Sequence, residues 1–114
     1  MGNYGGIVIG ETAIDMEGQM PEPDAVLERL REAFDFDLAQ SNIVELDGKG
    51  VPLEPQFIKF YLDNRNDFPG GWIAAYPSGT KVVAEVVDWG YVPTPGTSPE
   101  RCVKRYKVLY RQVA

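Results

Sequence analysis

The sequence contains no histidine and only one cysteine, Cys102, among its 114 residues. Without histidine, the chain lacks the commonest general base and the imidazole partner of serine and cysteine nucleophiles. A single cysteine rules out a disulfide within the chain and any metal site built from several thiolates. We therefore expect neither a nucleophilic enzyme nor a metalloprotein, and we predict no cofactor.

Long apolar runs are also missing. The run Ile7-Val8-Ile9 is the longest near the start, and no basic segment precedes it. It is too short for a signal peptide or a membrane span, so we expect a cytoplasmic location. Hydrophobic residues make up 44% of the chain and charged residues 25%, as in ordinary folded domains. This length and composition predict a single globular domain over residues 1–114.

Positive charge is scarce in most of the chain. The net charge is −6, and residues 1–80 hold 14 acids and 5 bases, whereas residues 81–114 hold 3 acids and 6 bases. The larger, acidic part repels a nucleic acid backbone and favours a partner with a basic surface. The basic end of the chain is suited to an anion.

The stretch from Gly70 to Tyr91 predicts a β-hairpin. Two runs of β-forming residues, 72–76 and 80–89, flank Pro77-Ser78-Gly79, a typical three-residue turn with glycine in the left-handed position. The turn places Tyr76 opposite Thr80 and creates one nearly apolar face. Simple alternation then assigns Trp89 to the other, mixed face.

A helix is predicted from Pro23 to Phe34. Proline suits the first turn, and acidic residues there favour the positive end of the helix dipole. Apolar residues recur at helical spacing and predict a buried stripe of Val26, Leu30, Ala33 and Phe34. The opposite side carries Asp24, Glu28, Arg31, Glu32 and Asp35.

Further strands are predicted at 4–10, 41–47 and 57–62, the first of them central and the last near an edge. For residues 99–113, Ser98-Pro99 resembles a helix start, and apolar residues follow at helical spacing, although the same residues also suit a strand. We expect a helix there. The predicted fold is therefore α+β, with an antiparallel sheet of about five strands, one acidic helix packed on it and a C-terminal helix.

No group of residues indicates a catalytic or metal site. Glu85 and Asp88 are three apart on a predicted strand, so simple alternation is expected to place them on opposite faces. The segment 63–67 resembles a calcium loop only superficially, since Arg65 stands at a ligand position and the closing glutamate is absent. Catalytic and metal-ligating residues are therefore predicted to be absent.

The leading hypothesis is a small acidic cytosolic factor that binds another protein, such as an inhibitor or an immunity-type protein that engages a basic, nucleic-acid-binding surface. Acidic and aromatic residues are its predicted contacts: Glu28, Glu32, Asp35, Trp89 and Tyr91. The first alternative is a nucleic-acid-binding module that uses the basic C-terminal residues Arg101, Lys104, Arg105, Lys107 and Arg111. The second alternative is a small carboxylate-dependent enzyme.

Overall fold

The computed structural model describes residues 6–40, 45–60, 69–93 and 102–113. In chain order, these form strand β1 (Ile7–Glu17), helix α1 (Pro23–Ala39), strand β2 (Gln56–Phe60), strand β3 (Gly71–Ala75), strand β4 (Lys81–Val92) and strand β5 (Val103–Val113). The predicted α+β fold, with a five-stranded antiparallel sheet and one helix, is confirmed. No helix in these parts of the chain is long and apolar enough to cross a membrane.

The strands are arranged in the order β1-β5-β4-β3-β2, and each pair of neighbours is antiparallel. Strands β2, β3 and β4 follow one another in sequence and in space. Strand β5 then returns to the far side of β4 and pairs with β1 from the start of the chain. The sheet therefore has β1 and β2 as its edges, and the edge position of β2 agrees with the prolines that precede it.

The hairpin of β3 and β4 has the predicted turn and register. Tyr76 and Thr80 are paired by a 2.9 Å hydrogen bond from the Tyr76 amide to the Thr80 carbonyl oxygen. Gly79 has a φ of 100°, the left-handed conformation that favours glycine. The apolar face of the hairpin packs into the core through Ala74, Val82, Ala84 and Val86.

A β-bulge between Val86 and Asp88 changes the face on which later residues of β4 lie. Val86 pairs with Val108 and Asp88 with Lys107, so one extra residue of β4 is accommodated between them. The prediction for Trp89 is therefore wrong, because the bulge returns it to the core face, where it packs beside the buried residues. The expectation for Glu85 and Asp88 is also wrong, because the bulge places both acids on the face away from α1.

Helix α1 begins at Pro23, as predicted, but continues five residues beyond Phe34 to Ala39. Its buried side is formed by Val26, Leu27, Leu30, Phe34 and Leu38, which lie against one face of the sheet. The Trp72 indole Nε1 donates a 2.8 Å hydrogen bond to the carbonyl oxygen of Leu27. The Phe34 ring stacks on Tyr110 and meets Phe57 edge to face. These contacts join the helix to strands β2, β3 and β5.

The predicted C-terminal helix is wrong, because residues 103–113 form strand β5. Its even-numbered residues Tyr106, Val108 and Tyr110 are buried under α1, which is the period of two expected for a strand. Pairing with strands on both sides satisfies the backbone of β5 along its whole length. These long-range partners outweigh the local helical spacing.

The N-terminal strand is longer and less central than predicted. It runs from Ile7 to Glu17 and forms an edge, and Ile7 is 74% exposed. In the segment predicted as a strand over 41–47, residues 41–44 lie outside the described residues and Leu46 makes one isolated bridge with Pro52. The turn at Asp47 is present, since its side chain accepts hydrogen bonds from the amides of Lys49 and Val51. Residues 98–101, at the predicted start of the last helix, also lie outside the described residues.

Candidate partner-binding surface

A groove lies between the edge strand β1 and helix α1. One part of it, a cavity of about 410 Å³, is lined by residues that include Thr12, Ala13, Arg29, Glu32, Phe36 and Asp37. The neighbouring part, about 250 Å³, is lined by residues that include Gly10, Thr12, Asp37, Leu38 and Tyr110. The two cavities share Thr12 and Asp37, so they are adjacent parts of one surface feature, called here the β1–α1 groove.

The side of α1 that borders this groove carries an exposed aromatic ring. Arg29, Ala33 and Phe36 are spaced by three or four residues and therefore lie on one side of the helix. Phe36 is 65% exposed although it belongs to a helix that is otherwise well packed. Across the groove, Gly10 of β1 pairs with Tyr110 and carries no side chain on the helix side of the sheet, which leaves space beside the helix. The groove thus combines two apolar residues, Ala33 and Phe36, with charged residues of the same helix, next to a strand edge.

At the inner end of the groove, the Tyr110 hydroxyl donates a 2.5 Å hydrogen bond to the Asp37 carboxylate. Burial raises the pKa of the Tyr110 phenol far above its ordinary value, and the hydrogen bond to the nearby Asp37 carboxylate raises it further. The phenol therefore stays protonated at neutral pH and acts as a hydrogen-bond donor. The pair fixes the last turns of α1 to the sheet.

The three predicted acidic contacts all lie on α1 and are exposed: Glu28, Glu32 and Asp35. Only Glu32 lines the β1–α1 groove. Asp24, on the same helix, pairs instead with Lys59 of β2 at 2.7 Å. The described residues contain no group of three or more acidic or cysteine side chains that could hold a metal ion.

The two predicted aromatic contacts form a pair on β4. The rings of Trp89 and Tyr91 meet edge to face at 5.5 Å, and Tyr91 is 51% exposed. The Tyr91 hydroxyl donates to the carbonyl oxygen of Gln19, at 3.1 Å, in the connection between β1 and α1. The Lys104 Nζ lies 4.0 Å from the centre of the Trp89 ring, a cation–π contact. These aromatic residues thus have internal roles as well as partial exposure.

The predicted basic cluster is divided by the strand conformation of β5. Arg105, Lys107 and Arg111 lie on the face away from α1, whereas Lys104 lies on the helix side; Arg101 is outside the described residues. The first three bases lie beside acids of the sheet. The pairs are Arg105 with Asp15 (2.7 Å), Lys107 with Glu11 (3.7 Å) and Arg111 with Glu85 (3.7 Å).

A second concavity of about 630 Å³ lies over Gly90, on the face of the sheet away from α1. Its polar lining combines Glu11 and Asp88 with Arg105 and Lys107. Arg105 donates two hydrogen bonds to the Asp15 carboxylate, and these bonds hold the pKa of Asp15 below its usual range. The charges around this concavity therefore largely compensate one another.

The sequence does not single out the residues of the β1–α1 groove. Thr12, Phe36 and Tyr110 belong to three different segments, and β1 and β5 meet only through long-range pairing. The one local signal is Phe36, an apolar residue between two acids that continues the helix past its predicted end. Comparison with protein-family models, curated proteins and solved structures finds no match to this chain.

Proposed function

We propose that this chain is a protein-binding module that engages a basic surface of another protein, and that it acts by binding, without catalysis. The observation that carries the proposal is that most basic side chains of the described residues make internal contacts, whereas several acidic side chains do not. Most of the basic side chains in the described part are occupied by internal contacts. Lys59, Arg105, Lys107 and Arg111 lie 2.7–3.7 Å from a carboxylate, and Arg31 and Lys104 lie over aromatic rings.

Several acidic side chains, in contrast, project from the surface without a basic partner among the described residues. Glu28, Glu32 and Asp35 on α1 are exposed in this way, and so are Glu17 and Glu54 elsewhere. Because the basic side chains are paired internally, the surface keeps an excess of negative charge. Such a charge increases the rate and specificity of association with a basic protein. Exposed apolar residues such as Phe36 and Tyr91 supply area for contact.

The nucleic-acid alternative is less well supported by this arrangement. A phosphate group that approached Arg105, Lys107 or Arg111 would compete with a carboxylate already beside each base. Affinity for nucleic acid depends mainly on cations that neutralise phosphates, and few of the described basic side chains lack an internal contact. We infer instead that the partner supplies the positive charge. A partner whose basic surface serves to bind nucleic acid would be inhibited by such an association in the cytoplasm.

The test is affinity capture from cells that make the chain, at low and high salt, with and without nuclease. One variant neutralises the helix acids: Glu28→Gln, Glu32→Gln and Asp35→Asn. A matched control removes the same charge elsewhere through Glu22→Gln, Glu54→Gln and Asp88→Asn, at three residues that are also exposed. We expect the chain and the control to retain a stoichiometric protein partner after nuclease treatment, and the helix variant to lose it.

High salt should also release this partner, since the interaction depends on exposed charge. The proposal fails if the helix variant captures the partner as well as the original chain does. It also fails if the captured material disappears on nuclease treatment, which would instead support binding to nucleic acid.

A further inference from the structure

Strand β1 presents a long free edge. It has eleven residues and, among the described strands, pairs only with β5, so alternate backbone N–H and C=O groups point away from those strands. In the described part of the chain, no backbone–backbone hydrogen bond reaches that outer side. A free edge of this length is a template for pairing with another chain. The bulge between Val8 and Gly10 interrupts the strand near its start and leaves Gly10–Glu17 as the regular portion.

The β1–α1 groove lies directly beside this regular portion. A strand added along β1 would place alternate side chains toward α1 and the others toward the opposite face of the sheet. Side chains on the helix side would meet the apolar residues Ala33 and Phe36, at a place where Thr12 and charged residues of α1 also line the groove. An extended segment between a sheet edge and a helix is a recurring mode of peptide recognition, in which backbone bonds give affinity and pockets give specificity.

Four residues of the regular portion of β1 lie on the opposite face of the sheet, and three of them are acidic: Glu11, Asp15 and Glu17. Glu11 and Asp15 are 64% and 44% exposed even though Lys107 and Arg105 lie beside them. Basic side chains on an added strand would lie opposite these carboxylates, on the side away from β5, and would share them with the bases already beside them. On the helix side, apolar side chains would fill the groove. The chemistry of this edge therefore suits a segment in which basic and apolar residues alternate.

A second copy of the chain fits this edge less well. Pairing of two β1 strands would bring the acids of both copies onto one face at neighbouring positions, and like charges across a strand pair are destabilising. We propose that the edge of β1 accepts an extended segment of the partner, with alternating basic and apolar residues, which joins the sheet as a sixth strand over Gly10–Asp15. This inference rests on the proposed function, since it specifies how a basic partner is held.

The probe is a blocked synthetic peptide of four Lys-Val repeats, added to the complete chain at low salt. An analogue with every backbone nitrogen methylated keeps the side chains and charges but cannot donate hydrogen bonds. A peptide of four Glu-Val repeats controls for charge. Binding is measured by titration, and amide hydrogen exchange reports which backbone groups become protected.

We expect the Lys-Val peptide to bind and to slow exchange at outward-facing amides between Gly10 and Asp15. The methylated analogue should bind about tenfold or more weakly, because several backbone hydrogen bonds are lost. Equal binding of the methylated analogue would overturn strand addition while leaving charge-based partner binding in place. Absence of binding by the Lys-Val peptide would overturn strand addition as well, whereas the capture experiment decides the proposed function independently.

A pair of variants tests the groove itself. Phe36→Ser removes the exposed ring of the groove and should weaken binding of the Lys-Val peptide about fivefold, since the lost apolar contact is partial. Leu46→Ser, at a residue of similar exposure (57%) away from β1, should leave binding unchanged. If the two substitutions weakened peptide binding equally, the peptide would not be bound at the β1–α1 groove. Protection of the β1 edge without peptide, accompanied by a doubled molecular mass, would assign the edge to a second copy and overturn the proposal.

Discussion

The hydroxyl of Tyr110 on β5 donates a 2.5 Å hydrogen bond to Oδ2 of Asp37 on α1. The phenol ring also stacks on Phe34 of the same helix, with 5.2 Å between the ring centres. One side chain of a sheet strand therefore connects to two positions on successive turns of α1. This connection places a titratable group inside the helix–sheet interface, where its ionisation affects stability.

The first prediction concerns alkaline pH. Because the pKa of Tyr110 is raised in the folded state, the folded state holds this proton more tightly than the unfolded chain does. The resulting stability is present below the ordinary tyrosine pKa of about 10 and is lost as the pH rises above it. Tyr110→Phe should cost about 1–2 kcal/mol at pH 7 and make the free energy of unfolding fall less steeply above pH 10.

Urea denaturation of both proteins from pH 7 to 11 measures this effect. In the variant, the free energy of unfolding should still fall somewhat above pH 10, because burial also raises the pKa values of Tyr76 and Tyr106. Parallel pH profiles for the two proteins would show that Tyr110 does not ionise differently in the folded and unfolded states.

The second prediction concerns acidic pH and the pair Asp15–Arg105. The hydrogen bonds from Arg105 lower the pKa of Asp15, so this pair contributes stability above the ordinary aspartate pKa and loses it as the pH falls below about 4. Both side chains are about half exposed, at 44% and 53%, so solvent screens the interaction. A double-mutant cycle with Asp15→Asn and Arg105→Gln should give only a small favourable coupling at pH 7.

That coupling should decrease with added salt and disappear at pH 2. A coupling that stayed constant across pH would indicate that packing of the Arg105 stem, and not charge, joins β1 to β5 at this position.

The third prediction concerns the close approach of strands at Gly71. A Cβ at this position would lie 2.2 Å from the Ala84 carbonyl oxygen and 2.6 Å from the Phe60 ring. Gly71→Ala should therefore lower the free energy of unfolding by about 1–3 kcal/mol, as expected for overpacking. Gly90→Ala is the matched control on the neighbouring strand, since a Cβ there meets no atom within 4 Å. Thermal unfolding measures both variants. An equal decrease in their melting temperatures would contradict this explanation.

The parts of the fold that sequence predicts well depend on contacts between near neighbours. The register of the β3–β4 hairpin follows from Pro77-Ser78-Gly79, because turn chemistry determines which residues face each other. The first helix follows from its apolar spacing and from Pro23, although its end does not. Phe36 and Asp37 interrupt a simple amphipathic pattern because one lines a groove and the other bonds to Tyr110.

The errors arise where distant pairing decides the structure. Residues 103–113 have apolar positions compatible with both periods, and only pairing with β1 and β4 makes the strand the stable choice. The sequence predicts too short a first strand because Gly10 interrupts the apolar run. In the structure, Gly10 lies at a bulge and the strand continues beyond it. The bulge between Val86 and Asp88 has no turn signal, so the placement of Trp89 could not be read from alternation.

In the candidate site, too, features that depend on near neighbours follow from the sequence and features that depend on distant pairing do not. Exposure of Glu28, Glu32 and Asp35 follows from their position on an amphipathic helix. The β1–α1 groove does not follow from the sequence, because it requires knowing that β1 is an edge and that α1 lies beside it. The internal pairing of Arg105, Lys107 and Arg111 likewise depends on which strands become neighbours.

The position of β5 between β1 and β4 also determines the order in which the domain can be completed during synthesis. Asp15 and Arg105 are ninety positions apart in the chain, so their contact waits until nearly all of the described residues have been made. Until β5 emerges from the ribosome, β1 has no neighbour in the sheet and both of its sides are open. We therefore expect a nascent chain with β1, α1 and the β2–β4 unit to need protection from association until its final strand arrives.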